Sequence, residues 1–165
     1  SSRRSRNSDP RTARAFTNRK LECSAVHANP SDDDLRQLLT EAKTVAIVGA
    51  SSNPERSSHG IMRMLQSVGY RVIPVNPRET AVLGEQAYSR LEDIPEHVDV
   101  VDVFRRAEDT PPIADSAVAI GAKALWLQSG ISNEETAARA TTGGLVVVMN
   151  ACIGVMHSML RVPKK

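Results

Sequence analysis

The sequence predicts an α/β fold: a Rossmann-like, doubly wound parallel sheet of about five strands in three layers (α/β/α). Short runs rich in Val and Ile alternate along the chain with stretches of helical character. These runs are continuously apolar, which is typical of parallel strands covered on both faces. Aromatic residues make up only 3% of the chain and apolar residues 41%, so the core must be mainly aliphatic. Strands that alternate with helices in this way form parallel sheets through crossover connections.

The first predicted helix follows Ser31, which is expected to be its N-cap. Three Asp residues fill its first turn, where the helix dipole favours negative charge. One face of this helix carries Leu35, Leu38, Leu39 and Ala42. The strand candidates share a run of apolar residues: 44–50, 70–76, 98–104, 123–128 and 145–150. Further helices are expected near 58–68, 111–121 and 133–141.

The chain divides into a basic N-terminal extension, residues 1–30, and one domain, residues 31–165. Residues 1–20 contain six Arg and one Lys against a single acid, Asp9. This composition cannot build a core and is typical of a flexible, solvated tail. Three further interpretations stay open: an expression remnant, an organelle-targeting segment, and an arm that docks on an acidic protein or RNA.

Composition also limits the kinds of partner and location that we expect for this protein. The formal net charge of +2 is too small to predict a nucleic-acid partner for the whole chain. No apolar run has the length of a membrane span. Cys23 and Cys152 lie in unlike contexts without metal-ligand spacing. We therefore expect a soluble protein in a reducing compartment, the cytoplasm or alternatively the mitochondrial matrix or another organelle, and we expect no metal site.

Ligands of such sheets bind in the crevice at the carboxyl ends of the strands, where the strand order reverses. The segments that follow the predicted strands are polar, basic or glycine-containing: 49–59, 76–78, 104–106, 128–130 and 150–152. They come from distant parts of the sequence and are expected to line one crevice. This convergence predicts a ligand site.

The first strand and the loop after it, residues 44–60 together, resemble the start of a dinucleotide-binding fold but depart from it. Gly49 fills the first place of the G-x-G-x-x-G pattern, whereas Ser51 and Pro54 stand at the other two. We expect Ser57 or Ser58 to be the N-cap of the helix that follows. Free amides at that helix start favour an anion. Side chains of the same segment add donors to this anion site: Ser51, Ser52, Arg56, Ser57 and Ser58.

The loop after the second strand indicates which phosphate-bearing ligand is expected. An NAD site normally has an acidic residue there to hold the ribose hydroxyls. The strand ends instead in Asn76, Pro77 and Arg78. A basic residue favours a ligand whose ribose carries a phosphate, which means NADP or coenzyme A.

Four segments together resemble the small stand-alone CoA-binding proteins, whose fold is similar to the CoA-binding domain of the succinyl-CoA synthetase alpha subunit. The segments are TVAIVGASSNPERSSHGIMRMLQSVGYRVIPVNP, VLGEQAYSRLEDIPEHVDVVDVFRRAED, ALWLQSGISNEE and VVMNACIGVMH. The resemblance covers roughly residues 31–160 and implies a Rossmann-like CoA-binding domain. Many members of the family have no established reaction.

The resemblance also implies roles for particular residues. The CoA pyrophosphate would contact Gly49, Ala50, Ser51, Ser52, Arg56 and Ser57. Asn76, Pro77 and Arg78 would lie beside the adenosine and its ribose phosphate, and Phe104 and Arg105 would flank the nucleotide. Gln128 and Gly130 would border the pantetheine arm.

Cys152 is a further candidate contact, because an arm that runs along the strand ends would bring the CoA thiol towards it. A Cys152–His157 nucleophile pair is conceivable, but the segment around it contains no acid to orient the histidine. The family commonly has a basic residue before this cysteine and an acid before this histidine. Here Ala151 and Met156 stand in those places.

These observations predict a protein that binds CoA or acyl-CoA without demonstrated catalysis. Two alternatives stay open: an NADP-dependent oxidoreductase, and a structural subunit of a larger complex tethered by the basic arm. The sequence leaves the acyl group, any reaction and the oligomeric state undetermined.

Overall fold

The structure is a computed structural model that describes residues 26–165. The predicted tail, residues 1–20, and Cys23 lie outside the described residues. The helices are α1 (Asp32–Glu41), α2 (Ser57–Ser67), α3 (Pro111–Ala119), α4 (Glu134–Thr142) and α5 (Ile153–Met159). The strands are β1 (Thr44–Val48), β2 (Arg71–Val75), β3 (Ala81–Val82), β4 (Glu85–Gln86), β5 (Val100–Val103), β6 (Ala124–Leu127) and β7 (Val146–Val148).

The predicted parallel sheet is confirmed. Five strands lie in the order β2-β1-β5-β6-β7, and every neighbouring pair is parallel. The chain leaves β1 towards β2 and then returns to the other side of β1 as β5, so the strand order reverses between β1 and β5. β3 and β4 form a separate antiparallel pair. The sequence analysis predicted neither that pair nor α5.

Helices cover both faces of the sheet, as the three-layer prediction requires. On one face α1, α2 and α5 cover a core of large side chains. Among them are Leu39 and Met62 from the helices and Trp126 from β6. On the other face α3 and α4 bury alanines, including Ala114 and Ala137. None of the helices within residues 26–165 combines the length and the apolar character that a bilayer crossing requires.

The first helix begins as predicted, and the second does not. The Ser31 hydroxyl accepts a hydrogen bond from the Asp34 amide at 3.2 Å and caps α1. The prediction that Ser57 or Ser58 caps α2 was wrong, because α2 already begins at Ser57 and its N-cap is Arg56, which forms no side-chain cap. The Arg56 amide donates to the Asn53 carbonyl at 3.0 Å, and this turn starts the helix earlier than expected.

Residues just before α1 form hydrogen bonds with the edge strand β7 and with Met149, which directly follows it. The Asn29 amide group donates to the Met149 carbonyl at 2.8 Å and accepts from the Met149 amide at 2.9 Å. The His27 ring nitrogen Nε2 lies 2.9 Å from the Val147 carbonyl. Three residues assigned above to the extension, 27–29, are thus attached to the sheet, and the exact start of the domain stays a prediction.

Candidate functional site

Gly49 fixes the crevice between β1 and β5. Its φ of +89° is a left-handed conformation that L side chains rarely adopt. A Cβ at this position would collide with the carbonyl oxygen of Phe104, which follows β5. The Gly49 amide donates to the Val75 carbonyl at 2.9 Å and so links the loop after β1 to the end of β2. Gly49 therefore allows three strand ends to meet at close range.

Two cavities open on either side of this point. One has a volume of about 530 Å³ and is lined towards β2 by Gly49, Ser51, Arg56, Asn76, Pro77, Arg78, Glu79, Phe104 and Arg105. The other has a volume of about 440 Å³ and is lined towards β6 by Gly49, Glu55, Arg56, Ser57, Ser58, Phe104, Arg105, Arg106 and Ile131. The two share Gly49, Arg56, Phe104 and Arg105, so they are two halves of one crevice at the predicted position.

The crevice is rich in positive charge. Within residues 26–165, Arg56, Arg78 and Arg105 form no salt bridge, whereas Arg106 pairs with Asp109 at 3.2 Å. Two carboxylates, Glu55 and Glu79, also line the cavities. The unpaired guanidinium groups give this edge of the sheet an excess of cationic donors suited to phosphate.

The start of α2 adds backbone donors to the same crevice. The first turn of any helix leaves amides without intrahelical partners, and α2 has no side-chain cap to satisfy them. Ser57 and Ser58 line the smaller cavity at this helix start. Free amides beside unpaired arginines are a suitable environment for an anion.

Asn76 holds the two loops of the larger cavity together. Its side-chain nitrogen donates to the Ala50 carbonyl at 2.8 Å, and its side-chain oxygen accepts from the Arg78 amide at 2.9 Å. Ala50 is fully buried. Asn76 thus lines the cavity and the Arg78 side chain remains exposed, whereas Ala50 lines neither half of the crevice.

Glu79 is a member of the site that the sequence analysis missed. One of its oxygens, Oε2, accepts from the Ser52 amide at 2.9 Å and from the Ser52 hydroxyl at 3.1 Å. The chain turns back after β2, with the Glu79 amide donating to the Asn76 carbonyl at 3.2 Å. Pro77 inside this turn was the available signal, because proline favours the second position of such turns. A carboxylate therefore does stand near the end of β2, beside Arg78.

The remaining predicted residues lie after β6 and β7, and internal bonds engage their polar groups. Gln128 is buried, and its side-chain oxygen accepts from the Ile153 amide at 3.1 Å, at the start of α5. The Gly130 amide donates to the Asn150 side chain at 2.7 Å. Cys152 is the half-buried N-cap residue of α5. None of these three lines either half of the crevice.

The structure does not bring Cys152 and His157 together as a catalytic pair. Cys152 precedes α5 at the carboxyl end of the sheet, whereas His157 lies in the last turn of that helix. The His157 ring packs edge to face on Tyr70, with 5.8 Å between ring centroids, and Tyr70 directly precedes β2. Burial, together with nearby Lys165, lowers the pKa of His157. This histidine packs near the amino end of β2, away from the crevice.

Asp102 is a buried carboxyl group in β5, two residues before Phe104. It pairs in register with Ile47 on β1 and Trp126 on β6, and it has no exposed surface. Neither of its oxygens has a hydrogen-bond partner among the described residues. Burial raises the pKa of Asp102 well above its usual range.

Together, the fold and the crevice define a doubly wound α/β protein with an arginine-lined site at the point where the strand order reverses. Within residues 26–165, no group of His, Cys, Asp and Glu side chains has the arrangement of a metal site. The model of the CoA binding domain family matches residues 43–158. The chain belongs to this CoA-binding domain family.

Individual relatives agree with this assignment. The chain is 38% identical over 133 residues to the uncharacterized protein YneT of Bacillus subtilis, covering 81% of this chain and 98% of YneT. A solved structure of a hypothetical protein from Pyrococcus horikoshii is 37% identical and superposes with a TM-score of 0.78, covering 84% of this chain and 95% of the other. An ADP-forming acetate–CoA ligase of Archaeoglobus fulgidus is 32% identical over 104 residues, which are 61% of this chain but only 15% of the ligase.

Proposed function

We propose that this protein binds CoA or an acyl-CoA in the crevice between the ends of β1 and β5. The observation that carries the proposal is a set of three arginines around Gly49 in a chain of the CoA-binding domain family: Arg56, Arg78 and Arg105, which have no ion-pair partner in the described part of the chain. CoA carries a pyrophosphate and a ribose phosphate, and guanidinium groups bind such groups through charge-assisted hydrogen bonds. The match to part of an acetate–CoA ligase supports the same ligand. No reaction is part of the proposal.

The lining of the crevice suggests where each part of CoA binds. We assign the pyrophosphate to Arg56 and the first amides of α2, because free helix amides favour phosphate. The ribose phosphate is assigned to Arg78, on the loop where this fold contacts the ribose. Phe104 and Arg105 line both cavities and would flank the nucleotide. The pantetheine arm would then extend towards Gln128, Gly130 and Cys152.

Substitution of Arg78 tests the proposal most directly. A hydrogen bond to a charged group contributes on the order of 1.5 to 3 kcal/mol, so Arg78→Ala should weaken CoA binding by about tenfold to a hundredfold. Dephospho-CoA lacks the ribose phosphate, and its binding should barely change. Calorimetric titration of both ligands into both proteins measures the difference.

Arg63→Ala is the matched control, since Arg63 is an exposed arginine of α2 that lines neither cavity. This control should bind both ligands as the wild type does. Equal losses for CoA and dephospho-CoA in Arg78→Ala would remove Arg78 from the ribose-phosphate site. Tighter binding of NADP than of CoA by the wild type would favour the oxidoreductase alternative.

A further inference from the structure

Glu79 occupies the hydrogen-bond donors of Ser52, which lies in the loop after β1 that the family resemblance assigns to the CoA pyrophosphate. Its Oε2 accepts both the Ser52 amide at 2.9 Å and the Ser52 hydroxyl at 3.1 Å. A backbone amide paired with a hydroxyl is a donor set that binds phosphate oxygens at strand-to-helix loops. In this structure a carboxylate of the protein itself takes the place of such an oxygen.

The loop after β2 holds this carboxylate over Ser52. Asn76 anchors that loop to the Ala50 carbonyl, and the turn from Asn76 to Glu79 reverses the chain towards Ser52. The loops after β1 and β2 are therefore joined at two points, one by a neutral amide and one by a charged group. Only the second contact would compete with an anionic ligand.

Glu79 also opposes the charge of the larger cavity. That cavity is lined by Arg56, Arg78 and Arg105, and Glu79 is the one acidic side chain that residues 26–165 contribute to it. A ligand with several phosphate charges is attracted by the arginines and repelled by the carboxylate. Because Glu79 is half-buried and near solvent, this repulsion is partly screened.

We propose that Glu79 is an internal latch that holds the Ser52 donors in the ligand-free protein and is displaced when a phosphate of the ligand binds there. The latch rests on the proposed function, because CoA is the ligand that would displace it. It regulates that site: it lowers the affinity for CoA and keeps the loop after β1 closed towards β2 until a phosphate replaces the carboxylate.

Removal of the latch should strengthen CoA binding. Two hydrogen bonds to a partly exposed carboxylate no longer have to be broken, so Glu79→Ala should bind CoA about threefold to thirtyfold more tightly. Glu55→Ala is the matched control. Glu55 lines the other half of the same crevice, but its side chain forms no hydrogen bond within residues 26–165. Loss of this charge alone should give a clearly smaller gain.

Calorimetric titration of CoA into the wild type and the two variants decides between the outcomes. A gain confined to Glu79→Ala supports the latch. Equal gains in both variants would assign the effect to charge in general and overturn it, and an unchanged or weaker affinity of Glu79→Ala would overturn it as well. Failure of all three proteins to bind CoA would overturn the proposed function together with the latch, whereas binding by the wild type without a gain in Glu79→Ala overturns the latch alone.

The Ser52 amide provides a readout in the wild-type protein that does not depend on any variant. Its resonance in a proton–nitrogen correlation spectrum should shift on saturation with CoA, because the acceptor changes from carboxylate to phosphate. In ligand-free Glu79→Ala the same amide should exchange faster with solvent, since it has lost its acceptor. A Ser52 resonance that stays unchanged at saturating CoA would show that Glu79 remains in place, and the latch would be wrong.

Discussion

The two sides of the crevice use their polar residues differently. On the β2 side, Arg78 and Arg56 extend into an open cavity without ion-pair partners among residues 26–165. On the β6 and β7 side, Gln128 and Asn150 form hydrogen bonds with backbone amides of neighbouring segments. Both sides follow strand ends and look alike in sequence. Residues on both sides lie at the carboxyl ends of strands. Only those on the β2 side have side chains that are free to contact a ligand.

The cause of this difference is the helix that follows β7. α5 begins immediately behind the strand ends, and the buried amide of Ile153 needs an acceptor. Gln128 supplies that acceptor from the neighbouring strand end. On the β2 side the chain leaves the sheet through an exposed turn at Pro77 and Arg78, so the side chains stay available.

The largest expected effect is at the centre of the crevice, between the two sides. Gly49→Ala must accept a positive φ and a collision with the Phe104 carbonyl, so we expect a loss of about 2 to 4 kcal/mol in the free energy of unfolding. Gly84→Ala is the control, because Gly84 has a similar φ of +82° but open space around its Cβ position. It should lose only the conformational part, about 1 to 2 kcal/mol.

Urea unfolding followed by circular dichroism measures both glycine variants. Equal losses in the two would show that the strand ends can separate at Gly49 without cost. The close contact between β1 and β5 would then not define the crevice.

The second prediction compares one residue from each side of the crevice. Gln128→Ala leaves the buried Ile153 amide without an acceptor and should lower the free energy of unfolding by about 1 to 3 kcal/mol. Arg78→Ala removes an exposed side chain and should change stability by less than about 0.5 kcal/mol. Urea unfolding and CoA titration should therefore give opposite rankings of the two variants. A stable Gln128→Ala protein that no longer binds CoA would show that the Gln128 side chain serves the ligand rather than the fold.

The last prediction concerns pH, and it involves Asp102, in the strand between the two sides. Because burial raises its pKa, the folded protein keeps a proton that the unfolded chain releases above about pH 4. The stability contributed by this group therefore falls as pH rises from about 4 towards the raised pKa, with a limiting slope of about 1.4 kcal/mol per pH unit. Asp102→Asn cannot ionise and should not show this contribution.

Unfolding free energies at about pH 5 and pH 8 test the Asp102 prediction. The difference in unfolding free energy between Asp102→Asn and the wild type should shift in favour of the variant from the lower to the higher pH. The size of that difference at the lower pH does not matter for the test. Parallel pH profiles would mean that the carboxyl group ionises normally in the folded protein.

Much of the fold was predictable because its signals are local. Apolar runs gave the five parallel strands, and the N-cap of α1 was evident from Ser31 and the Asp residues after it. The β3–β4 pair and α5 were missed. Each strand of that pair has only two residues, and α5 has seven, so neither is long enough for a periodic pattern to emerge.

The sequence by itself determined the sheet, the edge of the sheet at which a site is expected, and the presence of Gly49, Arg56, Asn76 and Arg78 there. These follow from residue type and order, because every parallel strand has its carboxyl end at the same edge. Only the tertiary structure decided which of these side chains are free. The contacts of Glu79 with Ser52 and of Gln128 with Ile153 span 27 and 25 residues along the chain. Such pairings depend on where loops and helices meet in space, and no local pattern encodes them.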